Sequence, residues 1–175
     1  MIGRFSLYGF LKNQRYYEPF IILAFLEMGL SFTLIGMIIA FREVMINIME
    51  IPTGVIADLF GRRRAMILSF VSYILSFATL GTIGLISAAG ALPTGVLVAA
   101  ILPAMVLYAI GDAFRTGTHK AIIFTWLRLQ GRTGEKTKIY GYTRSWSKIG
   151  SAVNVVIAAV IVAVTHSYVL IFFVS

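Results

Sequence analysis

The chain has 175 residues, of which 59% are hydrophobic and only 13% are charged, and its mean hydropathy is +0.90. A soluble domain carries about 25% charged residues, so the composition excludes an ordinary soluble domain, and the apolar excess also excludes a disordered chain. An integral membrane protein, with the lipid bilayer as its surroundings, fits this composition. The sequence has no cysteine, which excludes disulfides and any metal or redox site built on thiolates.

The net charge of +8 does not indicate a nucleic-acid partner. The basic residues lie in short segments between apolar stretches of membrane length, as in the cytoplasmic loops of membrane proteins, and not on one face of a soluble domain. The N-terminal region also lacks the pattern of a cleaved signal peptide, because Lys12, Arg15 and Glu18 interrupt its early apolar residues. We therefore expect the first helix to act as an uncleaved anchor.

The first sixty residues allow two divisions into helices. Hydropathy alone marks a single span over 19–41, interrupted only by Glu27, and leaves 42–60 as a stray segment. That division places the N-terminal cations across the membrane from the triple arginine at 62–64. It therefore conflicts with the tendency of Lys and Arg to gather on the cytoplasmic side.

The alternative is a pair of helices over 5–26 and 33–57, joined by a short turn at 27–32. Gly29 and Ser31 suit such a turn, and both helices reach the roughly 20 residues that a span requires. The N-terminal cations then lie on the same side as the triple arginine. We prefer this division for that reason, although it places more charge inside the spans.

The remaining helices follow from hydropathy. We expect them over 65–87, 96–124, 141–164 and 168–175. A basic loop should follow the fourth helix, with Arg128, Arg132, Lys136 and Lys138. The three outer turns contain no Lys or Arg, which predicts a cytoplasmic N-terminus in a multi-pass protein of the cell membrane. The sixth helix would span only about 12 Å of a core about 30 Å thick, so we interpret the chain as the front part of a longer protein.

Polar side chains recur at helical spacing inside the predicted spans. A charge in hydrocarbon costs about 2.5–3.5 kcal/mol on insertion scales, so we expect such residues to face protein or a wet cavity. The stripe on the second helix is Glu43, Asn47, Glu50, Gly54 and Asp58. The stripe on the fourth is Tyr108, Asp112, Arg115 and His119. Shorter polar stripes on the first and fifth helices are Tyr8, Lys12, Arg15 and Pro19, and Arg144, Lys148 and Ser151.

The deep charged residues nearly balance, which predicts buried pairs. They are Arg15, Glu18, Arg42, Glu43, Glu50, Asp112 and Arg115. Arg15 with Glu18, and Asp112 with Arg115, have the spacing of local ion pairs. Four stripes converging on one axis would form a polar pathway, whereas pairing for packing alone is the alternative. We expect the serines of the third helix to make packing contacts between helices.

A short segment between the second and third helices carries a recognisable pattern. It reads Gly54-Val55-Ile56-Ala57-Asp58-Leu59-Phe60-Gly61-Arg62-Arg63-Arg64. It resembles the loop signature of the major facilitator superfamily: Gly, three residues, Asp, a basic residue, any residue, Gly, then basic residues. Leu59 stands where the family has its first basic residue. The run Gly111-Asp112-Ala113-Phe114-Arg115-Thr116-Gly117 looks loosely like the helix-four motif of the same family.

The resemblance implies an all-α fold: a polytopic transmembrane helix bundle, with residues 1–175 as the N-terminal domain of such a transporter and an incomplete sixth helix. It implies secondary active transport of a small solute by alternating access, with protons as a candidate coupling ion. The implied gating loop consists of Gly54, Asp58, Gly61, Arg62, Arg63 and Arg64. Candidates for the substrate or proton pathway are Arg15, Glu18, Glu43, Asn47, Glu50, Asp112 and Arg115.

The implied partners are a small-molecule substrate and a missing C-terminal half or another transporter chain. An enzyme is not expected, because the sequence shows no paired catalytic carboxylates, no His-rich metal cluster and no phosphate-binding loop. We accordingly expect no cofactor and no metal. The alternative function is a non-transporting remnant or assembly partner of a split or truncated membrane protein.

Overall fold

The structure is a computed structural model that describes residues 7, 10–11, 15–90, 92–131 and 133–175, with the side chains of 117–124 and 133 left out of the description. Within these ranges the elements are helices and turns. They are α1 Ile21–Glu27, α2 Phe32–Phe60, α3 Arg62–Ala88, α4 Thr94–Leu129, the 3-10 helix Thr133–Glu135, α5 Lys136–Thr165 and α6 Ile171–Val174. Helices α2, α3, α5 and the Thr94–Thr116 part of α4 are long and apolar enough to cross a membrane. The chain is therefore an all-helical, membrane-embedded protein.

The chain turns between α1 and α2, as the two-helix division has it. Gly29 adopts φ +87°, a backbone conformation that favours glycine, and the main chain reverses there. The Ser31 hydroxyl then caps α2 by accepting a hydrogen bond from the Leu34 N–H at 3.4 Å. A single helix over 19–41 is consequently not formed.

The predicted first helix over 5–26 is interrupted in its described part. Residues 16–20 form turns, and α1 begins only at Ile21. Pro19 is the physical reason, because it has no N–H to donate to the carbonyl of Arg15 four residues earlier. That carbonyl instead accepts hydrogen bonds from Asn154 Nδ2 at 2.7 Å and from the Glu18 N–H at 3.2 Å. The interruption is thus tied to α5.

The long helices extend beyond their predicted ends. Gly61 alone separates α2 from α3, at φ +87° and ψ 145°, so the triple arginine begins α3 instead of lying in a loop. The predicted basic loop is similarly short, because Arg128 lies in α4 and Lys136 and Lys138 lie in α5. Arg132 is outside the described residues. Hydropathy detects the part of a helix inside hydrocarbon, whereas the helix itself continues into the aqueous region.

Helix α4 packs against α2 and α3 along much of its length. Two serines of α3 donate to carbonyls of α4: Ser69 to Gly111 at 2.7 Å and Ser76 to Ala104 at 2.8 Å. A Cβ on Gly111 would lie 3.1 Å from the Ser69 carbonyl oxygen, so the two backbones approach closely there. The prediction that these serines make packing contacts is confirmed.

Glu27 joins two turns at one end of the bundle. Its carboxylate accepts hydrogen bonds from the Ser167 hydroxyl at 2.9 Å and from the N–H groups of Tyr168 and Val169 at 2.6 and 3.2 Å. The α3–α4 turn lies at the same end, since the hydroxyl of Ser87, near the end of α3, donates to a carbonyl in the α1–α2 turn at 2.9 Å. These hydrogen bonds to Glu27 account for an acidic residue at the end of the otherwise apolar helix α1.

The N-terminal segment runs alongside α5, between the end of the bundle at Glu27 and the end that carries the triple arginine. The Phe10 backbone lies against Gly150 of α5. Later in the chain, Glu27 contacts the turn that follows α5. At the other end, Arg62 donates to the Thr125 hydroxyl at 3.0 Å, which places the triple arginine beside the last turns of α4. The described N-terminal residues therefore approach the end of the bundle that carries the triple arginine.

We expect Gly150→Ala to lower the stability of the protein. Its new Cβ would lie 2.5 Å from the Phe10 carbonyl oxygen, a backbone atom that no side-chain rotation can remove. Overpacking of this kind costs about 1–3 kcal/mol. Gly141→Ala is the matched control, because its Cβ meets open space on the same helix. Thermal unfolding in detergent micelles measures both variants, and equal midpoints would contradict the close contact.

The absence of native cysteines allows a direct test of the topology. Single cysteines at Gly3 and Gly134 should react with a membrane-impermeant maleimide from one side of the membrane. Cysteines at Ala89 and Thr165, both exposed, should react only from the other side. Labelling of the position-3 and position-134 cysteines from opposite sides would show that the helix arrangement is wrong.

Candidate functional site

A single carboxylate oxygen joins three parts of the bundle. Oδ1 of Asp112, on α4, accepts hydrogen bonds from Arg15 Nη2 at 2.6 Å, from Arg115 Nη2 at 2.6 Å and from the Tyr73 hydroxyl at 2.5 Å. Arg15 belongs to the N-terminal segment and Tyr73 to α3. The side chains of Asp112, Arg115 and Arg15 are only 15%, 11% and 24% exposed. We call these four residues the Asp112 cluster.

The sequence of α4 places a second polar group beside the cluster. Tyr108 lies one turn before Asp112 on the same helix face. Its hydroxyl accepts hydrogen bonds from Arg15 Nη1 at 3.1 Å and from the Tyr17 hydroxyl. Arg15 reaches both residues because the chain leaves helical geometry before Pro19. The two arginine nitrogens thus bind successive turns of α4.

Aromatic rings surround the cluster. Tyr17 and Phe77 have ring centroids 4.9 Å apart, and Tyr73 and Tyr108 meet edge to face at 5.2 Å. The Arg115 guanidinium lies over the Tyr73 ring at 5.1 Å. These rings keep water from much of the cluster, and they strengthen its electrostatic interactions.

A neighbouring ion pair lies at the edge of the same aromatic group. The Arg42 guanidinium lies 5.4 Å from the Tyr108 ring centroid and donates through Nη2 to the Glu43 carboxylate at 2.6 Å. Glu43 itself is 55% exposed, so solvent screens this pair.

The carboxylates near the two arginines differ in distance and exposure. Arg15 and Arg115 share the one carboxylate of Asp112. Glu18 approaches Arg15 Nη1 only to 3.8 Å, and its side chain is 60% exposed. An exposed partner at that distance contributes little in water. Asp112 is therefore the close carboxylate that the two guanidiniums share.

A cavity of about 500 Å³ adjoins the cluster. Arg15 and Arg115 line one part of it. Its apolar part is formed by side chains that include Phe70, Ile74 and Phe77 of α3. Cavities of about 300–1,000 Å³ with a few polar groups are typical of small-molecule sites.

The polar stripe of α2 does not join this site. Glu43, Asn47, Glu50 and Asp58 are exposed at the surface of the chain, and Asn47 donates to the Glu43 carbonyl within its own helix. Tyr8 and Lys12, from the stripe predicted on the first helix, lie outside the described residues. The side chain of His119, from the stripe on α4, is also outside the description. Among the described residues, the stripe members that meet at this site are Arg15 of the N-terminal segment and Tyr108, Asp112 and Arg115 of α4. Helical spacing shows that polar residues share one face of a helix, but it does not show whether that face points into the bundle or to its surface.

The polar stripe of α5 is also peripheral. Arg144 and Lys148 of α5 are exposed, and Ser151 is half-buried. The polar contact of α5 with the site comes instead from Asn154, which is 3% exposed and donates to the Arg15 carbonyl. Its Oδ1 has no hydrogen-bond partner within the described part of the chain. In the sequence, the feature that could have identified Asn154 is a single amide side chain within an otherwise apolar stretch.

The implied gating loop lies at the surface. Asp58, Arg63 and Arg64 are exposed, whereas Arg62 is half-buried and bound to Thr125. A Cβ on Gly54 would meet nothing within 4 Å, so the close approach that this glycine permits is not used inside the chain. Among the described residues, no group of three or more His, Cys, Asp or Glu could hold a metal ion.

Comparison of the chain with protein-family models, curated proteins and solved structures finds no match.

We expect Asp112→Asn to destabilise the protein by about 2–3 kcal/mol, somewhat below the figure for a fully buried pair, because the carboxylate keeps some exposure. The loss arises because two guanidiniums lose their shared counter-charge. Glu43→Gln is the control, since its exposed pair contributes less than about 1 kcal/mol. Thermal unfolding in detergent compares the two variants.

Adding Arg15→Gln to Asp112→Asn should recover part of the lost stability, because one unpaired charge is then removed. Strictly additive losses in the double variant would show that Arg15 and Asp112 do not interact.

Proposed function

We propose that the chain is the N-terminal part of a secondary transporter of the major facilitator type, in which the Asp112 cluster contacts a small solute. The observation that carries the proposal is a partly buried group of charges beside a cavity in a membrane-embedded bundle. Ionisable residues inside a membrane are costly and usually mark substrate or ion pathways. The signature at the α2–α3 junction supports the same conclusion.

Packing alone is a weaker explanation of the cluster. A buried ion pair is often no more stabilising than apolar side chains of similar volume. Here two arginines and a tyrosine converge on one oxygen of Asp112, where apolar residues would hold α3 and α4 together equally well. The polar arrangement is therefore better accounted for by a ligand or a proton that exchanges with these contacts.

The cluster also offers a switch between two arrangements. An anion at its arginines competes with Asp112 for Arg15 and weakens the bond between these two residues, which are 97 positions apart. Weakening that bond loosens the N-terminal segment from α4. Such local changes are what alternating access converts into rocking of two halves.

The α2–α3 junction is proposed as a gate on the cytoplasmic side. Asp58 is exposed near the end of α2, and Gly61 follows at a positive φ. An exposed carboxylate there can interact with a helix N-terminus of a partner, where the dipole favours negative charge. The partner would be a C-terminal half or another transporter chain.

The proposal is tested by uptake of a panel of labelled small solutes into cells and into proteoliposomes that contain the protein. For any solute that is taken up, Asp112→Asn should lower the rate by about tenfold or more, equivalent to about 1.4 kcal/mol of a lost charge-assisted contact. Glu18→Gln is the matched control, because Glu18 is 60% exposed and approaches Arg15 Nη1 only to 3.8 Å, so its rate should stay near that of the unmodified protein.

Proton coupling has its own measurement. If protons drive transport through α2, Glu50→Gln should make uptake independent of an imposed pH gradient while basal uptake continues. Unchanged coupling in that variant would remove Glu50 from the pathway. Absence of uptake for every solute, with correctly inserted protein, would contradict transport itself.

A second candidate function is an assembly partner without transport of its own. The exposed polar face of α2 favours it, because that face is not covered by described residues of this chain. Stable association with another membrane protein, together with no uptake in any assembly, would favour this candidate over a transporter.

A further inference from the structure

We infer that a groove between α2 and α3 binds one phospholipid with a net negative headgroup, at the end of the bundle that carries the triple arginine. The phosphate of the headgroup lies at Arg64, and an acyl chain lies along the groove. This site is separate from the proposed transport, because none of its lining residues belongs to the Asp112 cluster.

The groove is formed by the end of α2 and the beginning of α3, and its volume is about 430 Å³. It is lined by Ile56, Phe60, Arg64, Ile67 and Leu68. The lining comes from one continuous stretch of chain, because Gly61 alone joins the two helices. One guanidinium among apolar side chains matches a phosphate that carries hydrocarbon chains.

The groove lies on the side of α2 opposite its polar stripe. At about 100° per residue, Ile56 and Phe60 are each about 160° around the helix axis from Asp58. A partner that contacts the Asp58 face, as proposed for the gate, therefore leaves the groove free. Phe60, Ile67 and Leu68 are 58%, 53% and 44% exposed on helices that can cross a membrane. Exposed apolar side chains on such helices face hydrocarbon, so lipid is the neighbour of this groove.

The sequence of α3 places Arg64 at the level of the lipid headgroups. Arg64 is the last of three consecutive arginines, and the segment 65–87 that follows contains no charged residue. A guanidinium is costly in hydrocarbon, so this side chain extends to the interface. Ile67 and Leu68 follow within about 6 Å along the helix. A phosphate at Arg64 therefore leaves an acyl chain against these two side chains.

The charge at this end of the bundle favours an anionic lipid over a zwitterionic one. Arg64 is exposed, and the salt bridges of the described part of the chain involve other residues. Other exposed cations at this end are Arg63, Arg128, Lys136 and Lys138. The described acidic residues there are Asp58 and Glu135. Each cation close to an anionic membrane surface strengthens the interaction about fivefold.

The test is titration of the full chain, purified in a neutral detergent, with phosphatidylglycerol. Native mass spectrometry counts the lipid molecules bound at each concentration. We expect one phosphatidylglycerol to bind about fivefold or more tightly than phosphatidylcholine, whose choline cancels the charge of its phosphate. Glycerol 3-phosphate, which has the phosphate without acyl chains, should not displace the bound lipid.

Two matched pairs of variants locate the site. Arg64→Gln should weaken the binding of phosphatidylglycerol about fivefold, because the phosphate loses its guanidinium. Arg144→Gln is its control, since it removes an exposed arginine outside the groove and should leave binding unchanged. Phe60→Ala removes part of the apolar wall and should also weaken binding. Leu59→Ala is the control for that variant, because Leu59 is 74% exposed but does not line the groove.

Several results would overturn this assignment. They are equal binding of phosphatidylglycerol and phosphatidylcholine, displacement of the lipid by glycerol 3-phosphate, or equal binding by the two variants of either pair. Absence of any bound phospholipid would show that lipid does not occupy the groove, as when a protein partner covers it. Because binding is measured without uptake, failure of the lipid site and failure of the proposed transport are separate results.

Discussion

The carboxylate of Asp112 is the constraint on which the interior of this bundle depends. In a medium of low dielectric constant an unpaired charge is costly, so Arg15 and Arg115 have to reach a counter-charge. They find the same one, at 2.6 Å each, and Tyr73 adds a third donor from α3. The N-terminal segment, α3 and α4 are thereby fixed to one oxygen atom. A shift of any one of these elements therefore changes how well the charges on the others are balanced.

The backbone of the N-terminal segment is arranged to serve that constraint. Pro19 frees the Arg15 carbonyl, which binds Asn154 on α5, while the Arg15 side chain reaches α4. One residue therefore links two helices through different groups. Gly150, one turn before Asn154, lets the Phe10 backbone approach closely enough for this to occur. A continuous first helix would have kept that carbonyl for its own hydrogen bond.

The sequence was sufficient for the parts of the fold that the bilayer thickness dictates. Apolar length located the four long helices, and charge distribution chose between the two divisions of the first sixty residues. Local spacing also anticipated the pair of Asp112 with Arg115, three residues apart. The pair of Arg15 with Asp112 depends on tertiary packing across 97 positions, which no local pattern contains. Helix ends were missed because a helix that leaves hydrocarbon needs no apolar residues to continue.

The two polar surfaces of the chain meet different surroundings. Glu43 lies about 16 Å along α2 from its first residue, Phe32, within a helix that is long and apolar enough to cross a membrane. It is nevertheless half exposed, as are the positions that continue its stripe towards Asp58. Such a face is stable only against water or protein, whereas the cavity of the Asp112 cluster opens past apolar residues of α3. The charged α2 face and the apolar α3 face therefore differ in the surroundings that each can tolerate inside a membrane.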